Sequence, residues 1–381
     1  MAYFDNAATT FPKPICVYES MDKYYRECGG SAGRGIHEYA KSTGKLAADT
    51  RNIIKELLHC PSKQVVFEPT ATISLNIIIG GLIESGAKTV YISPFEHNAV
   101  TRTLHHYEKT FGVKVLELAV SRKLSYDLDR IEQQFNAVRP DVVIVSHASN
   151  VIGLIAPVEK LFTLAKRFGA VTVADMAQTA GIVESNIGLE CFDFAVFAGH
   201  KTLYGPTGIS GFVMKPDIHL PPILFGGTGY DSSNQDMPDS LPERFEMGTL
   251  NSVGIAGLYA SISWIQDIGI RNLYEEECRK RDQLIEVLGR HNYISIIGNE
   301  PDNKYVGIVS CLIDSISSDS AGEVFNRLNI AVRTGLHCAP RAHKFLSTFP
   351  AGTIRFSVGH FTTDEDFAEL ETALDYIEEN L

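Results

Sequence analysis

The sequence contains few cysteines and no C-x-x-C pair. Its seven cysteines are Cys16, Cys28, Cys60, Cys191, Cys278, Cys311 and Cys338. An odd number of scattered thiols argues against a disulfide framework, and without C-x-x-C spacing no zinc ribbon or other metal site is predicted. Cys191 and Cys311 lie in apolar runs and are predicted to pack as small interior hydrophobes. Cys338 differs, because it lies in a polar loop beside His337.

Positive charge and long apolar runs are also scarce. The chain has 34 Lys and Arg against 46 Asp and Glu, a formal charge of −12, which opposes general affinity for nucleic acid or an anionic membrane. No stretch approaches the roughly 20 apolar residues of a membrane span. The N-terminal MAYFDNAATTFPKP lacks the basic and apolar regions of a signal peptide. We expect a cytoplasmic protein whose partner is a small molecule or another protein.

Short apolar runs alternate with helical patterns through the first part of the chain. Seven runs rich in Val, Ile and Phe are predicted strands, at 64–69, 89–94, 113–120, 141–147, 170–175, 192–199 and 208–214. Helix-like segments lie between most of them, and several end on Gly, a common helix stop. Nearly all-apolar strands separated by helices indicate a mostly parallel sheet covered on both faces. The predicted class is α/β.

A stretch rich in Gly, Ser, Asp and Pro at 225–243 separates this region from the rest of the chain. Beyond it, the pattern predicts two helices, strands at YISIIG, GIVSCLI and TIRFSV, a helix near 320–328 and an acidic final helix. This α+β layout has a size consistent with a second domain. We expect a large α/β domain over 15–250 and a smaller α+β domain formed by 1–14 and 251–381.

The strongest chemical signal is a pair of charged residues that follow predicted strands. Asp175 ends a Val-rich strand, and Lys201 follows a later strand and precedes a Gly/Pro turn. Ligands of an open parallel sheet collect at the carboxyl ends of its strands, so both residues should face one crevice. A lysine there can form a Schiff base with an aldehyde cofactor, and an aspartate can keep a pyridine nitrogen protonated.

Nine motifs, in order along the chain, resemble the class V aminotransferases, which are pyridoxal-phosphate enzymes of fold type I. They are YFDNAATT, GRGIH, EHNA, SNVIG, DMAQ, GHK, RFEMGT, RTGLHCAP and IRFS. The likeness is strongest to the branch of cysteine desulfurases and selenocysteine lyases, and RTGLHCAP is similar to its short-loop, group II form. The resemblance implies a homodimer that binds pyridoxal 5'-phosphate in a large domain with a seven-stranded, mostly parallel sheet, beside a small α+β domain.

The resemblance also implies which residues contact the cofactor ring. Lys201 is similar to the lysine that binds the cofactor covalently, Asp175 to the partner of the ring nitrogen, and Gln178 to a donor to the phenolic oxygen. His97 resembles the imidazole that stacks on the ring and handles protons, a task suited to a pKa near neutrality. Asn150 resembles the residue that contacts both the ring oxygen and the substrate.

A phosphate needs hydroxyls and N–H groups, which a helix N-terminus supplies. The segment 70–76 opens a helix directly after a strand, so the N–H of Ala71 and the N–H and hydroxyl of Thr72 are suitable, although Thr72 could instead be an N-cap. The resemblance implies that His200 adds a hydrogen-bond donor to the phosphate. Thr249 resembles a hydroxyl that reaches in from the second subunit.

The same resemblance implies which residues contact the substrate. Arg355 resembles the arginine that binds the substrate α-carboxylate through two parallel hydrogen bonds. Arg34 resembles an arginine contributed across the dimer interface. Cys338 resembles the thiol that takes sulfur from L-cysteine and holds it as a persulfide, releasing L-alanine and passing the sulfur to an acceptor protein. A nearby cation or helix terminus should favour its thiolate, and His337 is one candidate.

Three positions depart from the family pattern. Ala198 precedes GHK where relatives often carry Ser or Thr as a phosphate ligand, and Gly33 precedes RGIH where they often carry His. Thr202 is an extra residue after Lys201. None of the three is a bond-making group, so the predicted reaction is kept.

Three alternatives stay open beside a cysteine desulfurase. A selenocysteine lyase would use the same scaffold with less need for Cys338, and the motifs do not separate sulfur from selenium substrates. A class V transaminase would leave Cys338 without a task. A non-catalytic sulfur-trafficking scaffold would need none of Lys201, Asp175 and His97, which are all present.

Overall fold

The computed structural model describes residues 1–32, 35–230 and 233–380, which contain three β-sheets. The strands are β1 Ala2–Tyr3, β2 Gln64–Glu68, β3 Thr89–Ile92, β4 Lys114–Glu117, β5 Val142–Ser146, β6 Val171–Asp175, β7 Phe194–Ala198, β8 Ser210–Met214, β9 Ile294–Ile297, β10 Ile308–Ile313, β11 Ile330–Ala331, β12 Arg333–Gly335 and β13 Thr353–Ser357. The helices are α1 Ile15–Glu27, α2 Glu38–Leu57, α3 Ala71–Glu84, α4 Asn98–Phe111, α5 Leu128–Ala137, α6 Val158–Arg167, α7 Ser252–Ile268, α8 Ile270–Gly289, α9 Ser318–Arg327, α10 Pro340–Phe345 and α11 Asp364–Asn380.

The largest sheet contains all seven strands predicted in the first part of the chain. Its strand order is β2-β8-β7-β6-β5-β3-β4. The strands from β7 to β4 in this order pair in parallel, whereas β8 runs antiparallel to both of its neighbours, β2 and β7. The prediction of an α/β fold with a mostly parallel seven-stranded sheet is therefore confirmed.

Alternate residues of each central strand pack into two cores on opposite faces of this sheet. In β5, Val142 and Ile144 join the core formed with α3 and α4. Val143 and Val145 join the core formed with α2, α6 and α7. Because successive side chains of a strand point to opposite faces, a strand covered on both faces must be apolar throughout. This requirement explains the apolar runs in the sequence.

The smaller sheet has the order β12-β13-β10-β9 and is antiparallel throughout. The predicted strands YISIIG, GIVSCLI and TIRFSV are its β9, β10 and β13. Its core includes Leu284 of α8 and Leu370 of α11. The N-terminal strand β1 pairs in parallel with β11, so the first residues lie beside the last third of the chain. The predicted domain limits, 15–250 against 1–14 with 251–381, remain a prediction.

Helices α7 and α8 meet at Gly269, whose φ of +92° lies in the left-handed region. The helix axes bend by 82° at this point, and α7 packs against α1 and α2. In the ranges that the structure describes, no single helix is long and apolar enough to cross a membrane. Only α7 and α8 taken together pass such a test, by length and composition alone.

Gly211 lies in β8 between its two neighbouring strands, β2 and β7. A Cβ at this position would lie 2.1 Å from the carbonyl oxygen of Val66 in β2 and 2.7 Å from the Cζ of Phe197 in β7. The backbone oxygen belongs to a buried strand and cannot move aside cheaply. The position therefore requires glycine for packing.

We expect Gly211→Ala to lower the free energy of unfolding by about 1–3 kcal/mol, because the added methyl overpacks the sheet. Urea denaturation followed by circular dichroism measures this change. The matched control is Gly44→Ala in α2, where a Cβ meets no atom within 4 Å and alanine is the better helix former. Equal midpoints for Gly211→Ala and the wild type would contradict the described packing.

Candidate active site

A cavity of about 270 Å³ lies at the carboxyl ends of the parallel strands of the large sheet. Nine predicted site residues line it, namely Ala71, Thr72, His97, Asn150, Asp175, Gln178, His200, Lys201 and Arg355. All except Arg355 follow or end strands of this sheet, and Arg355 belongs to β13. Parallel strands end at one edge of a sheet, which is why residues so distant in sequence meet there.

The other three predicted site residues have different positions. Cys338 is half-buried, and its neighbours Arg333 and His337 line the cavity. Thr249 is exposed and does not line the cavity of its own chain. Its predicted task in a second subunit stays a prediction. Arg34 lies outside the described residues, as does Gly33.

Asp175 is buried at the end of β6, and the half-buried Lys201 follows the neighbouring strand β7. Burial raises the pKa of Asp175, and the positive charge of Lys201 opposes this rise. Burial lowers the pKa of Lys201 to about 8, although Asp175 acts in the opposite direction. The Asp175 Oδ1 also accepts a hydrogen bond from the Ala177 N–H at 3.0 Å. Lys201 can thus lose its proton near neutral pH, as a nucleophilic amine must.

The N-terminal segment holds the turn that carries Lys201. The carbonyl of His200 accepts hydrogen bonds from the Thr9 Oγ1 at 3.0 Å, the Thr10 N–H at 3.2 Å and the Lys13 Nζ at 2.6 Å. Burial lowers the pKa of Lys13 to about 7. Sequence analysis missed Lys13, whose one signal was its place in the apolar run FPKPI. The Thr10 Oγ1 is a fourth donor at 3.3 Å, so the peptide that precedes Lys201 is firmly held.

His97 is the N-cap of α4. Its Nδ1 accepts a hydrogen bond from the Ala99 N–H at 3.0 Å, so the Nε2 carries the proton of the neutral ring. Burial lowers the pKa of His97 to about 4, and the positive charges of Lys201 and Arg333 lower it further. These surroundings oppose the expected pKa near neutrality, because the ring is buried among cations.

The end of the cavity beside α3 suits an anion. Ala71 and Thr72 lie in the first turn of α3 and line the cavity. The N-cap is Thr70, whose Oγ1 accepts from the Ile73 N–H at 3.2 Å, so the alternative of Thr72 as N-cap is wrong. The N–H groups of a first helical turn and the helix dipole together favour negative charge.

Arg355 is 1% exposed and connects two parts of the site. Its Nη2 donates to the Asp5 Oδ1 at 2.8 Å, and its Nη1 donates to the Asn150 carbonyl at 2.9 Å. The Asn150 Nδ2 donates in turn to the His337 carbonyl at 2.6 Å. These bonds link the N-terminus, the large sheet and the cysteine loop.

The loop of Cys338 is held in a strained conformation. His337 and Cys338 have φ values of +46° and +57°, which side-chain-bearing residues rarely adopt. Asn98 at the start of α4 donates its N–H to the Cys338 carbonyl at 2.7 Å. Together with the Asn150 bond to the preceding carbonyl, this contact fixes the backbone that carries the thiol.

Arg333, rather than His337, is the cation beside the thiol. The Arg333 Nη2 lies 3.5 Å from the Cys338 Sγ. His337 is buried, and its Nε2 is 3.0 Å from the Thr353 Oγ1. Burial lowers the pKa of His337 to about 2, so the ring is neutral and cannot supply charge. Sequence analysis quoted Arg333 within RTGLHCAP but did not assign it this contact.

Four buried polar atoms of the cavity lining have no hydrogen-bond partner among the described residues. They are the Asn150 Oδ1, the His200 Nδ1, the His337 Nδ1 and the Arg355 Nε. Burial lowers the pKa of His200 to about 4, so its ring is neutral. Buried polar groups are normally satisfied, and unpaired ones lining a cavity indicate a polar ligand. The Gln178 Nε2, in contrast, donates to the Ala7 carbonyl at 2.9 Å.

Known proteins resemble this chain along almost its whole length. The aminotransferase class-V family model matches residues 2–370. A Pyrococcus abyssi protein named "Probable cysteine desulfurase" is 31% identical over 385 aligned residues, covering 99% of this chain and 93% of the relative. A protein of the same name from Halalkalibacterium halodurans is 30% identical and covers 100% of this chain and 93% of the relative.

Solved structures show the same fold. The apo structure of the cysteine desulfurase from Thermococcus onnurineus superposes with a TM-score of 0.88 at 28% identity, covering 100% of this chain and 95% of that chain. A cysteine desulfurase structure from Escherichia coli superposes with a TM-score of 0.87 at 24% identity, with the same coverage. The second likeness is evidence for the fold alone.

The low pKa of Lys201 makes stability depend on pH. An unfolded lysine binds its proton up to a pKa of 10.5, whereas folded Lys201 releases it near pH 8, so the unfolded state binds more protons between these values. Stability should therefore rise with pH from about 8 to 10.5 in the wild type relative to Lys201→Met. Both proteins are freed of small molecules, and their urea midpoints are compared between pH 8 and 10.5. The control is Lys160→Met, at an exposed lysine, which should change with pH as the wild type does. A constant difference between wild type and Lys201→Met would contradict the buried charge.

The contact between Arg333 and Cys338 should make the thiol reactive. We expect Arg333→Met to slow alkylation of Cys338 by iodoacetamide at pH 7 several-fold, because the guanidinium stabilises the thiolate. Mass spectrometry of the alkylated Cys338 peptide follows the rate. Arg333→Lys should retain part of the wild-type alkylation rate. Arg130→Met, on the exposed surface of α5, should be alkylated at the wild-type rate. An unchanged rate in Arg333→Met would show that the contact does not activate the thiol.

Proposed function

The chain belongs to the class V aminotransferase family, in its cysteine desulfurase branch, and we propose that it transfers the sulfur of L-cysteine to Cys338 and releases L-alanine. The observation that carries this proposal is the position of Cys338. Its thiol is fixed beside Arg333 at the edge of a cavity that Lys201 and Asp175 line. A transaminase of this family would have no use for that thiol.

The cavity residues fit pyridoxal phosphate. The buried carboxylate of Asp175 suits a protonated ring nitrogen, the amine of Lys201 suits the aldehyde, and the first turn of α3 suits the phosphate. The unpaired His200 Nδ1 and Asn150 Oδ1 offer further polar contacts. When bound, pyridoxal phosphate supplies an aldehyde that condenses with amines and a ring that withdraws electrons from bonds at the neighbouring carbon.

Each cavity residue has a task that its surroundings support. Burial lowers the pKa of Lys201 to about 8, so a fraction of its amine is uncharged near neutral pH. The Nε2–H of neutral His97 is the group of this ring left to donate or exchange a proton, since Ala99 occupies the Nδ1. Gln178 has a second amide N–H beside the one that the Ala7 carbonyl accepts.

Arg355 is suited to bind the substrate α-carboxylate. Its Nε is buried without a partner among the described residues, and its Nη2 contacts Asp5, which is 22% exposed. A substrate carboxylate would compete with Asp5 for the same guanidinium. Asn150, held to Arg355 through its carbonyl, orders the neighbouring cysteine loop at the same time.

The sulfur step needs no outside oxidant. The Cys338 thiolate attacks the sulfur of bound L-cysteine, a sulfur–sulfur bond forms, and the carbon–sulfur bond of the substrate breaks. The carbon retains the electron pair, gains a proton and leaves as L-alanine, while Cys338 retains the sulfur as a persulfide. Arg333, 3.5 Å from the Sγ, stabilises the anionic sulfur before and after the step.

The proposal includes a homodimer, in which a second copy of the chain contributes to the site. Thr249 is exposed in its own chain, and its segment is joined to the Phe225 loop by a 2.7 Å hydrogen bond from the Gly248 N–H to the Gly227 carbonyl. Phe225 is 74% exposed, a large apolar side chain available for burial against a partner. The expected contributions of Thr249 and Arg34 to a neighbouring cavity agree with a homodimer.

The proposal predicts that L-cysteine gives L-alanine only when Cys338 is intact. Purified protein reconstituted with pyridoxal phosphate is incubated with L-cysteine or L-selenocysteine, and alanine and protein persulfide are quantified. Cys338→Ala should reduce alanine formation from L-cysteine to background. The control is Cys28→Ala, because a hydrogen bond from the Gly30 backbone lowers the pKa of this other thiol, and it should act like wild type.

Other outcomes identify other functions. Turnover of L-selenocysteine alone, unaffected by Cys338→Ala, would identify a selenocysteine lyase. Amino-group transfer to a keto acid without net alanine formation would identify a transaminase. A protein that shows no visible absorption after cofactor addition and no turnover would be a scaffold.

A further inference from the structure

The segment around Cys338 is positively charged in a chain that is acidic overall. The 40 residues 324–363 contain no Asp or Glu, although the whole chain has 46. The same segment contains Arg333, Arg341 and Lys344 within a few residues of the thiol. The net charge of the chain therefore does not describe this surface.

The folded structure adds a further cation to this segment. Helix α10 begins two residues after Cys338 and carries Arg341 and Lys344. Arg102 lies one helical turn after Asn98, whose N–H holds the Cys338 carbonyl, and its charge acts on neighbouring His97. Arg102 and Lys344 are exposed, and neither forms an ion pair with a described residue.

Few carboxylates balance these charges. Arg341 pairs with Glu117 at 2.8 Å, and Asp319 contacts the Thr334 hydroxyl at 3.4 Å. Phe349 is 46% exposed, and the Lys344 Nζ lies 5.1 Å from the centre of its ring. Aromatic and arginine side chains together are enriched in protein interfaces. We call the set of Arg102, Arg333, Arg341, Lys344 and Phe349 the cationic rim.

We propose that the cationic rim is the docking surface of the sulfur acceptor, and that this acceptor is a polypeptide whose cysteine is flanked by acidic residues. This inference rests on the proposed function, since it needs a persulfide on Cys338. A positive surface raises the local concentration of an acidic partner and its association rate. The substrate does not explain the charge, because free L-cysteine has no net charge at neutral pH.

A polypeptide fits the rim better than a nucleic acid does. The formal charge of −12 repels a long polyanion at distances beyond the rim, whereas a short acidic segment senses mainly the local cations. Phe349 and the adjoining exposed Pro350 offer apolar contact area, which a protein surface can bury. RNA also brings no thiol of its own.

The transfer step is balanced without a further reactant. The acceptor thiolate attacks the outer sulfur of the Cys338 persulfide, and a new sulfur–sulfur bond forms on the acceptor. The bond to the Cys338 Sγ breaks, and its electron pair remains on Cys338 as a thiolate beside Arg333. Acidic residues beside the cysteine of a free peptide raise the pKa of its thiol and so reduce its thiolate fraction. Docking on the cationic rim must offset this effect.

The test uses the reconstituted holoenzyme, loaded with persulfide by L-cysteine and freed of excess substrate. Peptides of equal length then present one cysteine among acidic, neutral or basic residues, and mass spectrometry follows the peptide persulfide per loaded Cys338. We expect the acidic peptide to be discharged about 10-fold or more faster than the basic one at low salt. The advantage should fade near 1 M NaCl, where the Debye length is about 3 Å.

Two pairs of substitutions and one small-molecule control sharpen the test. Arg102→Glu with Lys344→Glu should reverse the preference, whereas Arg130→Glu with Lys160→Glu, on α5 and α6, should retain it. The peptide persulfide is expressed per loaded Cys338, which removes any effect of a substitution on loading. Glutathione persulfide in place of the enzyme gives the intrinsic peptide order, which should favour the basic peptide.

The remaining outcomes overturn the inference. Equal or faster discharge by the basic peptide, or a preference that salt does not weaken, would exclude charge-guided docking. Stronger inhibition by single-stranded RNA than by the acidic peptide with serine in place of cysteine would identify a nucleic-acid surface instead. Failure to load any persulfide contradicts the proposed function itself, and it is seen before a peptide is added.

Discussion

The site depends on two opposite charges set at the edge of one sheet. Asp175 ends β6, and its register partner Val196 lies in β7, five residues before Lys201. Burial disfavours the ionised form of each group, and each charge partly compensates the other, with a further hydrogen bond from the Ala177 N–H to Asp175. The parallel sheet therefore supplies both the apolar surroundings that shift these pKa values and the register that sets them side by side.

The remaining parts of the site are brought to this pair by hydrogen bonds between distant segments. Lys13 and its neighbours hold the His200 carbonyl, and Asp5 holds Arg355. Asn150 joins Arg355 to the backbone of the Cys338 loop. The N-terminal segment and β13 are thus attached to the edge of the large sheet. The positive φ values of the loop can persist because the carbonyls of both strained residues are held.

The sequence predicted the sheet and most of the cavity, but not the contacts between its parts. A strand buried on both faces must be apolar, so the strands could be predicted from apolar runs. The family motifs and the helix start at 70–76 together located nine residues that line the cavity. Lys13 and Arg333 were not assigned because their partners are set by tertiary structure. The neutral state of His337 depends on burial and on nearby arginines, which no local pattern reveals. Roles for Thr249 and Arg34 depend on a second chain.

Charge in this site is carried by lysine and arginine rather than by histidine. Five histidines in or near the cavity have pKa values lowered by burial to about 4 or below, namely His97, His147, His200, His337 and His343. These rings stay neutral from about pH 5 upward, whereas burial brings the pKa of Lys13 to about 7, that of Glu96 behind Ser146 to about 7 and that of Lys201 to about 8. The cation 3.5 Å from the Cys338 Sγ is the guanidinium of Arg333, and the charged group beside the Lys201 amine is the Asp175 carboxylate. The charges that face the thiol and the amine therefore do not depend on the titration of a histidine.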